Sequence, residues 1–148
     1  MKNESGSKSI RTILLIEDEE ALARGMIGLL ERHGFAVVAA KDGTQAIKVP
    51  SERKIDLVIT DIFMDGMDGL ETLMHFKRIF PKIPVIAVSG GSGKLGMDCL
   101  RMAKFLGADR TLRKPILIAV LLEAIRSIED KRARLGGNEP DASAGYEP

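Results

Sequence analysis

A chain of 148 residues, 45% apolar and 29% charged, has the size and balance of one soluble globular domain and leaves no room for a second. Its 22 basic and 21 acidic side chains are interspersed and sum to +1, so no long-range field favours nucleic acid or an anionic membrane, and specificity must be local. A single cysteine, Cys99, excludes an internal disulfide. No apolar run reaches bilayer length and the start lacks the apolar stretch of a signal peptide, so the cytoplasm is the expected compartment.

Residues 1–9, rich in Ser, Lys, Asn and Gly, read as a flexible lead to a domain over 10–132. The aliphatic run Thr12–Ile16 predicts a first strand, and Ala23, Ile27 and Leu30 repeat at helical spacing behind it. A second strand is expected over Phe35–Ala39. Asp42 precedes Gly43, Thr44 and Gln45 as an N-cap precedes its i+3 partner, so a second helix starts there, and Pro50 should shorten or kink it. Strands follow over Ile55–Thr60, Ile83–Val88 and Asp109–Arg113, with a helix carrying His75 between the first two. Leu95, Cys99, Met102, Ala103 and Leu106 form the apolar stripe of a longer helix, and Leu117, Leu121, Ala124, Ile125 and Ile128 that of the last. From residue 133 turn-formers and acids predict a disordered tail to 148.

The first, third and fourth strands are continuously apolar, as strands covered on both faces must be, whereas the other two have the composition of edges. Strands alternating with helices imply an α/β fold: a doubly wound parallel sheet with helices on both faces. In such a sheet, ligands gather outside the carboxyl ends of the strands. The residues at those ends are Glu17 and Asp18, Asp61, Ser89, and Lys114 with Pro115. Three converging carboxylates repel one another unless a cation neutralises them, and oxygen-only ligands point to Mg²⁺. A divalent ion, a lysine ammonium and a small hydroxyl suit a phosphoryl group, with one acid free to be the nucleophile.

Each residue alone has a plainer explanation. Glu17 to Glu20 complement a helix N-terminus, Asp61 can cap a turn, Ser89 can bond backbone, and Lys114 can be a solvated strand end. Only their joint placement argues for chemistry. The segment GGSGK is not a phosphate-binding loop, because Val88 stands where the upstream glycine is needed and Leu95 where Ser or Thr is needed. His33 and His75 read as surface or capping residues, and Cys99 as core. Met64, Met67, Met74, Met97 and Met102 read as packing or loop residues, and 129–134 as a solvated helix end.

The stretches ILLIEDEE, DLVITDIFMDGMDG, VIAVSGG and GADRTLRKP, in this order, resemble the receiver domains of bacterial response regulators, single-domain chemotaxis-type regulators among them. The resemblance runs from about Ile13 to about Lys131. It implies a flavodoxin-like strand order 2-1-3-4-5 with five helices. It also implies that Asp61 is the phosphoacceptor, that Asp18 and Asp61 bind Mg²⁺ directly with the backbone carbonyl of Phe63, and that Glu17 acts through water. Ser89 would bond a phosphoryl oxygen, and Lys114 would pair with the phosphate and Asp61, aimed by a cis peptide to Pro115. The donor would be a histidine kinase or histidine phosphotransfer protein in a two-component phosphorelay. The output would be contact with another protein through the fourth helix, fifth strand and fifth helix, with no nucleic-acid binding and no membrane insertion. Such a protein assists its own phosphorylation and dephosphorylation and is not otherwise an enzyme.

Three positions depart from the family. Thr111 occupies the switch position, with Ser89 its partner, where an aromatic side chain is usual, so either another element reports phosphorylation or coupling is weaker. Asp65 replaces a common proline. The loop from Ser89 to Gly93 is glycine-rich and is predicted to be mobile before phosphorylation. Two other functions compete. A haloacid-dehalogenase-like phosphatase needs Asp-x-Asp after the first strand, where this chain has Glu17–Asp18–Glu19, and a phosphorylation-independent pseudo-receiver would explain Thr111. The sequence after Lys131 contains no helix-turn-helix, so a stand-alone regulator is expected.

Overall fold

Side chains alternate across a strand, so a run that is apolar at every position needs cover on both faces. The computed structural model describes residues 9–63, 69–90 and 93–138, so all but Ser9 of the predicted lead and the last part of the predicted tail lie outside it. The strands are β1 (Thr12–Ile16), β2 (Ala36–Ala40), β3 (Leu57–Asp61), β4 (Val85–Ser89) and β5 (Arg110–Arg113). They form one five-stranded sheet in the order β2-β1-β3-β4-β5, every neighbouring pair parallel. The three continuous runs are the middle strands, and β2 and β5 are the edges.

β1 spans the predicted residues, while the other strands start one or two residues late. Side chains account for part of this. The Asp56 carboxylate accepts the backbone N–H groups of Arg11 at 3.0 Å and Thr12 at 2.9 Å, and the Asp109 carboxylate accepts that of Val85 at 2.8 Å. Aspartates thus satisfy the entry of neighbouring strands where the ladder has not yet begun. Asp56→Ala should leave two N–H groups without their acceptor and cost about 1–3 kcal/mol. Urea denaturation checks this, and an unchanged midpoint would mean that water replaces the carboxylate.

The helical segments are α1 (Glu20–Arg32), α2 (Gly43–Ala46), α3 (Val49–Glu52), α4 (Gly69–Ile79), α5 (Gly93–Phe105) and α6 (Ile118–Asn138). The second predicted helix is carried as two single turns, α2 and α3. Asp42 Oδ1 accepts the Gln45 N–H at 2.8 Å to start α2, and Pro50 lies in the first turn of α3, where a missing N–H is harmless. Ile13, Leu15, Leu57, Ile59, Ile86 and Val88 face α1 and α6, whereas Leu14, Ile16, Val58, Val85 and Ala87 face the remaining helices. This is the doubly wound arrangement, with Phe76 of α4 fully buried on the second face.

Three expectations change. Of the stripe expected in α5, Ala103 is buried and Cys99 and Leu106 are half-buried against the core, but Leu95 and Met102 are exposed, and Gly96 is the other inward position. Small residues let a helix approach the sheet closely, so bulk at helical spacing marked the border of the buried face rather than its centre. Leu117 precedes α6 and is exposed. The last helix continues to Asn138, past the predicted boundary at 132, because glycine within a helix costs only about 1 kcal/mol and does not by itself end it. No helix among the described residues is long and apolar enough to cross a membrane.

Candidate functional site

Chain direction reverses between β1 and β3: α1 leads outward to β2 on one side, and the rest of the sheet grows on the other. The crevice beyond their carboxyl ends is where a doubly wound sheet can hold a ligand. Backbone bonds carry each key residue one step past its ladder. The Glu17 N–H donates to the Ala40 carbonyl at 3.1 Å, Ile62 N–H to Val88 at 2.9 Å, and Lys114 N–H to Ser89 at 2.9 Å. Three strand ends are thereby held in register.

Glu17, Asp18 and Asp61 each offer an oxygen within 4.8 Å of the others. Asp61 closes β3 and is buried, Glu17 is half-buried and Asp18 is exposed. The ammonium of Lys114 donates to Asp61 Oδ2 at 2.8 Å and to Glu17 Oε1 at 3.0 Å. The second oxygen of Asp61, Oδ1, accepts the Phe63 N–H at 2.9 Å, so both of its oxygens are held. The Lys114–Pro115 peptide is cis. Ser89 ends β4 and is buried, its carbonyl accepting the Lys114 N–H, while Thr111 is half-buried in β5 opposite Ala87. Asp65 lies outside the described residues, as do Gly91 and Ser92 of the glycine-rich loop.

Burial pushes the Glu17 carboxyl up; hydrogen bonds from Lys114 and from the Glu19 N–H offset this only in part, and the charge of Asp61 adds to the rise. For Lys114, burial acts downward, but its hydrogen bonds to Asp61 and Glu17 outweigh it and hold the ammonium above the ordinary lysine value. One fixed cation therefore faces three acids and leaves Glu17 reluctant to carry its charge. A hard divalent cation fits this all-oxygen donor set and this unmet negative charge.

The Lys114–Glu17 bond was not read from the sequence, nor were two glycines that shape the site. A Cβ on Gly69 would fall 2.1 Å from Ile62 Cα and 2.2 Å from the Asp61 carbonyl oxygen, so α4 starts against the backbone of the phosphoacceptor candidate. A Cβ on Gly90 would meet Lys114 Cδ at 3.1 Å. Each approach joins two different elements of the fold, and no periodic signal announces it. His33 bonds the Leu29 carbonyl at 2.9 Å at the end of α1, and His75 is half-buried beside Arg78; neither belongs to the acidic group.

The family model described as response regulator receiver domain matches residues 13–126. Over 126 residues the chain is 31% identical to an NtrX-like response regulator of Rickettsia typhi, covering 83% of this chain and 26% of that protein. It is 36% identical over 81 residues to the sensor kinase CckA of Brucella abortus, covering 53% of this chain and 9% of that one. The first curated relatives it matches are thus about four times longer than the matched region. Among solved structures, a response regulator receiver domain protein of Clostridium thermocellum superposes with a TM-score of 0.78 at 31% identity, covering 85% of this chain and 99% of that one. Strand order, the position of the acids and the family match agree: this chain belongs to the response regulator receiver domain family.

Proposed function

We propose that the chain is a phosphoacceptor of two-component signalling, in which Asp61 receives a phosphoryl group from a histidine kinase or histidine phosphotransfer protein in the cytoplasm. The observation that supports this best is the bridge from the Lys114 ammonium to both Asp61 and Glu17, inside a group of three carboxylates. Residues 10–132 are the unit that carries the activity. Asp18, Asp61 and the Phe63 carbonyl would hold Mg²⁺, with Glu17 acting through water; the bound ion supplies positive charge to the phosphoryl oxygens.

An Asp61 carboxylate oxygen attacks phosphorus in line, the P–N bond to the donor imidazole breaks, and its electron pair stays on the ring nitrogen. The Phe63 N–H fixes the carboxylate plane through Oδ1. Lys114, whose bonds to Asp61 and Glu17 outweigh burial and favour the ammonium, moves its donation from Oδ2 of Asp61 to a phosphoryl oxygen. Ser89, at the tip of the adjacent strand, bonds a second phosphoryl oxygen. The resulting mixed anhydride is open to attack by water, which limits the life of the signal. Output is by contact with a protein target through α5, β5 and α6.

Incubation with acetyl phosphate and Mg²⁺ should add one phosphoryl group by intact mass, and Asp61→Asn should abolish it. Absence of the adduct in the unaltered chain would remove this function and favour a contact module that does not use phosphorylation, a reading that Thr111 at the switch position supports. Steady turnover of unrelated phosphomonoesters would favour a phosphatase.

A further inference from the structure

The acids gather at one end of the sheet, and the opposite end holds a cleft of the reverse charge. It measures about 240 Å³ and carries Lys77, Lys82, Arg110, Lys131 and Arg132 against a single acid, Asp109. In a chain whose net charge is only +1, this is a marked local excess. Asp109 adds little free negative charge, since its Oδ2 already accepts from Lys77 Nζ at 3.1 Å and from the Val85 N–H at 2.8 Å. Arg110 meets Glu123 only at 3.5 Å, and that glutamate side chain is 63% exposed, so the pair is readily exchanged in water. Lys82, Lys131 and Arg132 form no ion pair among the described residues, and Arg132 reaches only the Asp56 carbonyl, at 3.5 Å.

The dipole of α4 favours a cation in its last turn and accounts for Lys77. It does not account for cations brought to the same cleft by the turn after α4, by β5 and by α6, where their mutual repulsion opposes convergence. Two guanidinium groups can each pair with two oxygens, and the lysines add mobile point charges. A single carboxylate would leave most of this charge unmet. A cleft of this size, half open to solvent and lined also by Pro81 and Leu135, suits a compact anion better than the extended backbone of a nucleic-acid duplex.

We propose that this cleft binds a phosphate-chain anion, either free pyrophosphate or the phosphate chain of a nucleotide. The test is calorimetry and thermal melting of the full chain with pyrophosphate, ATP, orthophosphate and a short DNA duplex, in EDTA so that the acidic end holds no metal. Pyrophosphate or ATP is expected to bind at one site with a sub-millimolar Kd and to raise Tm; comparable binding of both identifies the free chain, and tighter binding of ATP identifies a nucleotide. Lys82→Glu with Lys131→Glu, both exposed, should weaken binding roughly tenfold or more while leaving the ligand-free Tm near that of the unaltered chain. Asp61→Asn should leave the affinity unchanged. No saturable binding of either phosphate chain, an affinity insensitive to the double charge reversal, or a preference for duplex DNA would each overturn the proposal.

Discussion

Gly69→Ala is expected to lower stability by roughly 3 kcal/mol or more and to disable phosphorylation at Asp61, because the added carbon cannot be placed without moving backbone. The atoms it would meet, Ile62 Cα at 2.1 Å and the Asp61 carbonyl oxygen at 2.2 Å, cannot rotate away as a side chain would. Either α4 lifts from the sheet or the end of β3 shifts. The first exposes the second face of the core, where Leu73 and Phe76 of α4 are fully buried. The second moves Asp61, which is held at Oδ2 by Lys114 and at Oδ1 by Phe63. Both losses should therefore arrive together. Circular dichroism melts and the acetyl phosphate assay check this, and a variant with unaltered Tm would show that the close approach is not maintained in solution.

Lys114→Met keeps an unbranched side chain one atom shorter and removes its charge, and its expected effect depends on pH and on metal. The substitution leaves Glu17 and Asp61, whose side chains are 9% and 6% exposed, without their shared cation. Breaking a fully buried pair costs more, but the Lys114 side chain keeps 23% exposure, so about 2 kcal/mol is expected at neutral pH in EDTA. Glu17 already titrates above its ordinary 4.5, so the folded chain holds that proton more tightly than the unfolded chain, and this residue's contribution to stability falls as pH rises through 4.5 and beyond. Without Lys114 the rise is larger and so is the fall. The deficit of the variant should consequently be small below about pH 4 and grow toward neutrality. Mg²⁺ should recover part of it, and phosphoryl uptake should remain slow because the mobile charge for the phosphoryl oxygen is gone. Urea titrations across pH, with and without Mg²⁺, measure this; a deficit independent of pH would mean that Lys114 contributes by packing alone.

The order of elements was legible in the sequence because the middle strands are apolar at every position and the acids, Ser89 and Lys114 sit at strand ends, where the sheet period alone assigns them to one rim. Strand starts were less legible. Asp56 and Asp109 bond strand-entry N–H groups through their side chains, and such bonds carry no periodic signal. The α5 stripe holds at Ala103, Cys99 and Leu106 and fails at Leu95 and Met102 for a related reason: a large apolar residue at helical spacing is conspicuous, whereas Gly96, which is buried, is small.

Composition and strand pattern by themselves determined a doubly wound domain with an acidic rim, since alternation and burial are properties of consecutive residues. Tertiary structure alone decided that Lys114 reaches Glu17 as well as Asp61, that Gly69 lies against the backbone of Asp61, and that cations from four separate segments meet in one cleft. These are contacts between different elements of the fold, whose distances are set by how helices and sheet pack and not by any spacing along the chain.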